Sequence, residues 1–211
     1  MNKRTYILVF MLLLLAGGIS AQNGFKPVKN QEAVLAELNK TAAETHTITA
    51  DFTEEKTMAA FSKPQFGKGK FYYAEKDKLR WEQVSPFDYV IVINGKSLSI
   101  RENGKIKKIS GGNRSLGRVS EFLLNMVQGN FRNDPKLPVK CFESSSQYLV
   151  ELTPTNSPLG KIYKNLKLYF SKTDKRLQGI EFFEANGDRR TMKFFNQVYN
   201  KPVASTFFTL Q

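Results

Sequence analysis

Two Asn-Gly pairs, Asn94-Gly95 and Asn103-Gly104, punctuate a stretch otherwise rich in β-branched and aromatic residues. Asn and Gly accept the positive φ that tight turns between twisted strands demand, so each pair joins two neighbouring antiparallel strands. The stretch 67–109 therefore reads as a meander. Its strands centre on Phe71-Tyr72-Tyr73, on Leu79 with Trp81, on residues 90–93 and on Leu98 with Ile100, with a further turn at Pro86-Phe87-Asp88.

Alternation within these strands gives the sheet one dry and one wet face. Phe71 and Tyr73 share a side, as do Leu79 and Trp81, while Lys78, Arg80 and Glu82 take the other. Gly67 and Gly69 precede the aromatic cluster at alternate positions, where missing side chains permit a bulge or a sharp bend. A sheet bent around its apolar face is a barrel or a half-barrel.

The remainder repeats this grammar around two helices. Asn30 caps a helix with Glu32 in its first turn and Val34, Leu35, Leu38 and Ala42 on one stripe. A strand over 47–56 follows, with Ile48, Ala50 and Phe52 on one side, and residues 57–66 connect it to the meander. Gly111 and Gly112 break the meander and serve as turn or hinge; Leu116, Val119, Leu123 and Met126, with Phe122 and Val127 beside them, then give residues 116–128 a broad apolar helical face that ends at Gly129. Residues 132–138 are polar and contain proline, and read as a loop or a short turn of helix. Strands resume at 139–142 and 147–153, a turn falls at Asn156-Ser157-Pro158, and Leu166, Leu168 and Phe170 alternate in the next strand. Thr173-Asp174 and Asn186-Gly187 turn the chain into strands at 177–183 and 191–195, and Phe207-Phe208 tie the end to the sheet. The fold class expected is α+β: a half-open, highly curved antiparallel β-barrel with helices over its concave apolar face.

The first residues, MNKRTYILVFMLLLLAGGISAQ, place Lys3 and Arg4 before an apolar run and small residues after it. That is the layout of a secretory signal peptide cut after Ala21, and the run is short for a membrane span. A single domain over 22–211 is expected, without a cofactor and monomeric. Position 22 is Gln, so no cysteine is offered there for lipid attachment, and the one cysteine, Cys141, is expected to be buried as a small hydrophobe. The chain carries 32 basic against 19 acidic residues. Such an excess suits an anionic partner, a lipid surface or an acidic protein, or is a solvated basic exterior; export argues against nucleic acid.

Enzymatic motifs are missing. The single histidine, His46, has no acid or cysteine at ligand spacing, and there is no nucleophile elbow and no phosphate-binding loop, since GGNRSLG lacks the lysine. Glu54 and Glu55 point to opposite faces of a strand, which spoils them as an acid/base pair. The reading is non-enzymatic, and no metal site is expected.

Asp51-Phe52-Thr53, Gly69, Leu79-Arg80-Trp81-Glu82 with Pro86, Asn94-Gly95-Lys96 with Leu98, and the stretch 148–154 occur in an order that resembles the periplasmic outer-membrane lipoprotein carrier family, LolA-like, of which this chain would be a divergent member. The resemblance spans nearly all of the chain beyond the leader. It implies a periplasmic protein that holds lipoprotein acyl chains in an apolar cavity and carries them from the inner to the outer membrane. Implied partners are acylated lipoproteins, an inner-membrane lipoprotein-releasing transporter and an outer-membrane acceptor. The alternative is a non-enzymatic lipid-binding or sensing module of the same fold working with an envelope protein. Carried over by position, the cavity would be lined by Leu35, Leu38, Phe52, Phe71, Leu79, Trp81, Leu98, Phe122, Met126 and Phe170. One departure stands out: where the family has an Arg-Pro pair whose arginine bonds the lid, this chain has Glu75-Lys76.

Overall fold

The computed structural model describes residues 24–75, 77–109, 122, 124–127, 136–155 and 159–210. The chain runs through β1 (Lys26–Pro27), α1 (Gln31–Ala43), β2 (Thr47–Thr57), β3 (Gln65–Ala74), β4 (Lys78–Ser85), β5 (Tyr89–Asn94), β6 (Ser97–Glu102), β7 (Lys105–Ile109), β8 (Val139–Glu143), β9 (Gln147–Leu152), β10 (Tyr163–Ser171), β11 (Leu177–Glu184) and β12 (Arg189–Tyr199). All strands join one antiparallel sheet in the order β1-β8-β9-β10-β11-β12-β2-β3-β4-β5-β6-β7. Two meanders, 47–109 and 139–199, are thus welded where the first strand of one meets the last strand of the other, β2 against β12. Edges remain at β1 and β7, so the sheet is open and not a closed barrel.

The turns behave as their residues require. Gly95, Asn103 and Gly104 take φ of 60°, 50° and 74°, and Gly187 takes 94°. Asn30 caps α1 through its side-chain oxygen, which accepts from the Ala33 amide at 3.0 Å. Val34, Leu35 and Leu38 then enter the same core cluster as residues of nearly every strand.

That cluster shows the curvature. Trp81 on β4 and Phe170 on β10 stand five strands apart, about 24 Å along a flat sheet, yet they line one cleft. Only a sheet rolled toward its apolar face brings them together. Gly69 shows the local device. A Cβ there would collide with the Glu82 carbonyl oxygen on one side and the Phe52 ring on the other. The missing side chain lets the Phe52 ring lie over the backbone of β3, next to the register shift between Lys68 and Gly69.

Several expectations need correcting. The lead before α1, where no strand was expected, pairs as β1 with β8, Lys26 opposite Glu143 and Pro27 opposite Phe142. β12 reaches Tyr199 rather than stopping at Phe195, because a bulge at residues 196–197, with Asn196 at φ 50°, carries the pairing past the irregularity. Of the helix expected over 116–128, Phe122 and residues 124–127 are described and helical; the remainder, like Gly111-Gly112, Asn156-Ser157-Pro158, most of 132–138 and the leader, lies outside the described residues. Only α1 is therefore traced as a whole helix against the apolar face.

The outer face has its own small cluster. Phe208 is buried with Val90 and Val92, Phe207 stacks on Tyr72 at 4.7 Å, and Asn94 Nδ2 donates to the Phe208 carbonyl at 3.1 Å. The chain end is thereby fastened across β3, β4 and β5, as the paired phenylalanines suggested.

An apolar cleft between helix and sheet

The inward positions of the strands change character along their length. On β2 they run Ile48, Ala50, Phe52 and then Glu54. At the end where β2 begins, the space between α1 and the sheet is a cleft of about 690 Å³, part of it open to solvent. α1 contributes Leu38, Thr41 and Ala42, and Thr45 follows it; Ile48 and Ala50, Phe71, Trp81, Phe170, Leu177 and Phe194 come from six strands, and Met126 and Val127 from the segment after the first meander.

Three rings, Phe71, Trp81 and Phe194, line its base, and a fourth, Phe52, packs behind them. Trp81 lies 4.9 Å from Phe52 and 6.0 Å from Phe71, and Phe194 lies 6.0–6.4 Å from Phe71, Phe52 and Trp81. Most meet edge to face, the arrangement aromatic quadrupoles favour. The polar residues gather at one wall. Arg176 lays its guanidinium 3.8 Å from the centre of the Tyr199 ring, and Tyr199 donates to Gln197 Oε1 at 2.5 Å. Desolvation pushes the Tyr199 hydroxyl up to about 12 against the pull of Arg176, so it stays a neutral donor.

At the other end of the strands the interior is charged. Glu54 is buried and its Oε1 lies 3.0 Å from Arg190 Nε, an ion pair that lacks hydrogen-bond alignment; Glu184 reaches the same guanidinium at 3.6 Å. Burial raises the hydroxyls of Tyr89 and Tyr163 beside this group. Glu55, as its parity predicts, is exposed. On β2 this ion pair lies beyond Phe52, outside the lining of the cleft.

Every residue expected in the cavity belongs to one cluster: Leu35, Leu38, Phe52, Phe71, Leu79, Leu98, Phe122, Met126 and Phe170 are buried in it, and Trp81 packs against it partly exposed. The cleft itself is narrower than that set. Leu38, Phe71, Trp81, Met126 and Phe170 line it; Leu35, Phe52, Leu79, Leu98 and Phe122 do not. Leu177, Gln197 and Tyr199 were missed because two bulges shift the parity of their strands; Phe194 precedes the bulge of β12 and keeps the inward parity of Met192. In β12 the extra residue puts Phe194 and Tyr199 on the same face; in β11 the shift beside Phe170 does so for Leu177 and Ile180. A bulge is signalled in sequence only by Asn196, too weak a mark to use alone. Cys141 is buried, as expected. His46 is exposed and its Nδ1 lies 2.5 Å from the Glu75 carboxylate, linking the turn before β2 to the end of β3; Lys76 lies outside the described residues. Among the described residues no helix is long and apolar enough to cross a membrane, and no three His, Cys, Asp or Glu side chains gather as metal ligands.

The structure thus defines a class by architecture: an open, rolled antiparallel sheet with an apolar cleft under a helix. The particular family is given by a match over residues 43–211 to the outer membrane lipoprotein carrier protein LolA, and the chain belongs to that family. An outer-membrane lipoprotein carrier protein of Dechloromonas aromatica (strain RCB) is 24% identical over 186 residues, covering 86% of this chain and 85% of the relative. Among solved structures, an uncharacterized conserved protein from Thermus thermophilus superposes with a TM-score of 0.52 at 10% identity, over 85% of this chain and 93% of the other. A LolA superfamily protein from Nitrosomonas europaea gives 0.47 at 9% identity, over 87% and 99%.

Proposed function

We propose that this protein is an exported, periplasmic carrier that takes lipoprotein acyl chains into the cleft and moves them from the inner to the outer membrane, without chemistry of its own. The observation that carries the reading is the cleft: an aromatic-based apolar hollow walled by a helix and by strands from both meanders. Each acyl methylene shielded from water contributes about 0.8 kcal/mol, and two chains already anchor a protein stably in a bilayer, so acylated cargo crosses water only if its chains are covered. Release must be easy as well. A cleft with few polar groups, edge-packed rings and an adaptable Met126 grips by area rather than by directed bonds. The leader over 1–21 and one domain over 22–211 fit this reading, and so does family membership.

The test is transfer. Mature protein is incubated with inner-membrane vesicles bearing lipoproteins, and soluble complexes are collected. The wild type brings lipoprotein into solution; Trp81→Glu, which puts a charge on the cleft wall, does not; Phe207→Ser, on the outer face, behaves as the wild type. Equal transfer by Trp81→Glu would remove the cleft from the account.

A further inference from the structure

The most exposed large apolar side chains are not at the cleft. Phe61, Phe66 and Phe87 are 61%, 67% and 65% exposed. The topology brings them together: Phe61 lies in the β2–β3 connection, Phe66 near the start of β3, and Phe87 in the β4–β5 turn, and β3 pairs with β4. All three stand at the strand ends opposite the cleft, beyond the Glu54–Arg190 pair. Isolated exposed apolar residues are ordinary, but three phenylalanines at one end of adjacent hairpins mark a contact surface.

The charges around them select the partner. Lys63, Lys68 and Lys105 are exposed at this end and form no ion pair among the described residues. Of the carboxylates there, Asp88 is taken up by Arg101 at 3.3 Å and Asp188 by Lys56 at 3.8 Å, and Glu55 and Glu102 remain exposed. The phenylalanines sit on two turns and a strand start rather than walling a pocket. A second protein would need a complementary surface of about 800 Å² to recognise such a shape. A bilayer interface conforms to it, takes aromatic tips below the headgroups and rewards nearby lysines when its lipids are anionic.

We propose that this end of the sheet is a membrane-docking edge, with Phe61, Phe66 and Phe87 entering the interface of an anionic bilayer and Lys63, Lys68 and Lys105 facing its headgroups. Docking there leaves the cleft at the far end of the strands free. The proposal does not depend on what the cleft holds.

Flotation with vesicles of phosphatidylethanolamine and phosphatidylglycerol, against vesicles of phosphatidylcholine alone, tests it on the mature protein. The wild type floats with the anionic vesicles and less with the neutral ones, and added salt weakens the association. The triple variant Phe61→Ser, Phe66→Ser, Phe87→Ser loses at least about ten-fold in partitioning, the scale set by withdrawing aromatic area from the interface, with an unchanged unfolding midpoint because all three sites are exposed. Lys63→Gln with Lys105→Gln loses the preference for anionic lipid. A wild type that stays with the soluble fraction, or a triple variant that floats as well as the wild type, overturns the proposal. So does flotation lost in Trp81→Glu but kept in the triple variant, which would assign membrane association to the cleft. A stable protein complex made through the three phenylalanines, without flotation, would assign the edge to a protein partner instead.

Discussion

Gly69 and Phe52 are a single structural statement made by two residues. The ring occupies the space a side chain on β3 would fill, and the Glu82 carbonyl closes it from the other side. Gly69→Ala therefore destabilises the fold by about 3 kcal/mol, the upper range for overpacking a filled site, as urea unfolding will show; Gly104→Ala, with nothing within 4 Å but a φ of 74°, costs about 1 kcal/mol for backbone strain alone. Tyr199 makes a prediction about pH. Its hydroxyl keeps its proton up to about 12 in the folded chain but loses it near 10 when unfolded. Above pH 10 the folded state then binds more protons than the unfolded one, so stability falls as pH rises from about 10 to about 12. Tyr199→Phe removes up to one proton from that linkage and flattens the alkaline loss, measured as the unfolding midpoint against pH.

Elements were legible where local chemistry alone decides them. The Asn-Gly hairpins, the Asn30 cap and the alternation around Trp81 all follow from backbone preference and side-chain parity, and each stands in the structure where its residues put it. Asn30→Ala accordingly costs about 1 kcal/mol of stability, with Asn30→Ser restoring it. What depends on distant neighbours was not legible. β1 is a strand only because β8 offers an edge, and the bulges of β11 and β12 exist only because their partners set the register. For the same reason the residues expected in the cavity all join the core cluster while only Leu38, Phe71, Trp81, Met126 and Phe170 line the cleft: burial follows from parity, whereas position along the strand decides whether a buried residue borders open space. The C-terminal segment is a further element, fastened to the outer face by Phe207 and Phe208. Phe208 is 2% exposed against Val90 and Val92, so Phe208→Ala lowers stability by about 3 kcal/mol, read by thermal unfolding, while leaving the proposed acyl-chain binding on the opposite face intact.

For the molecule as a whole, the sheet sorts its functions by face and by end. Its inner face is apolar where β2 begins and charged where β2 ends; its outer face carries the C-terminal segment; its exposed phenylalanines lie at the charged end. Membership of the lipoprotein carrier family and an apolar cleft between helix and sheet are the two supports of the proposal that the protein covers acyl chains. The most direct test is native mass spectrometry, with lipid extraction, of the mature protein taken from an envelope fraction of its own host. The account predicts a bound acylated peptide or lipoprotein that is lost in Trp81→Glu and retained in Phe207→Ser. A protein that is empty as isolated, and that also takes up no lipoprotein from inner-membrane vesicles, would contradict it.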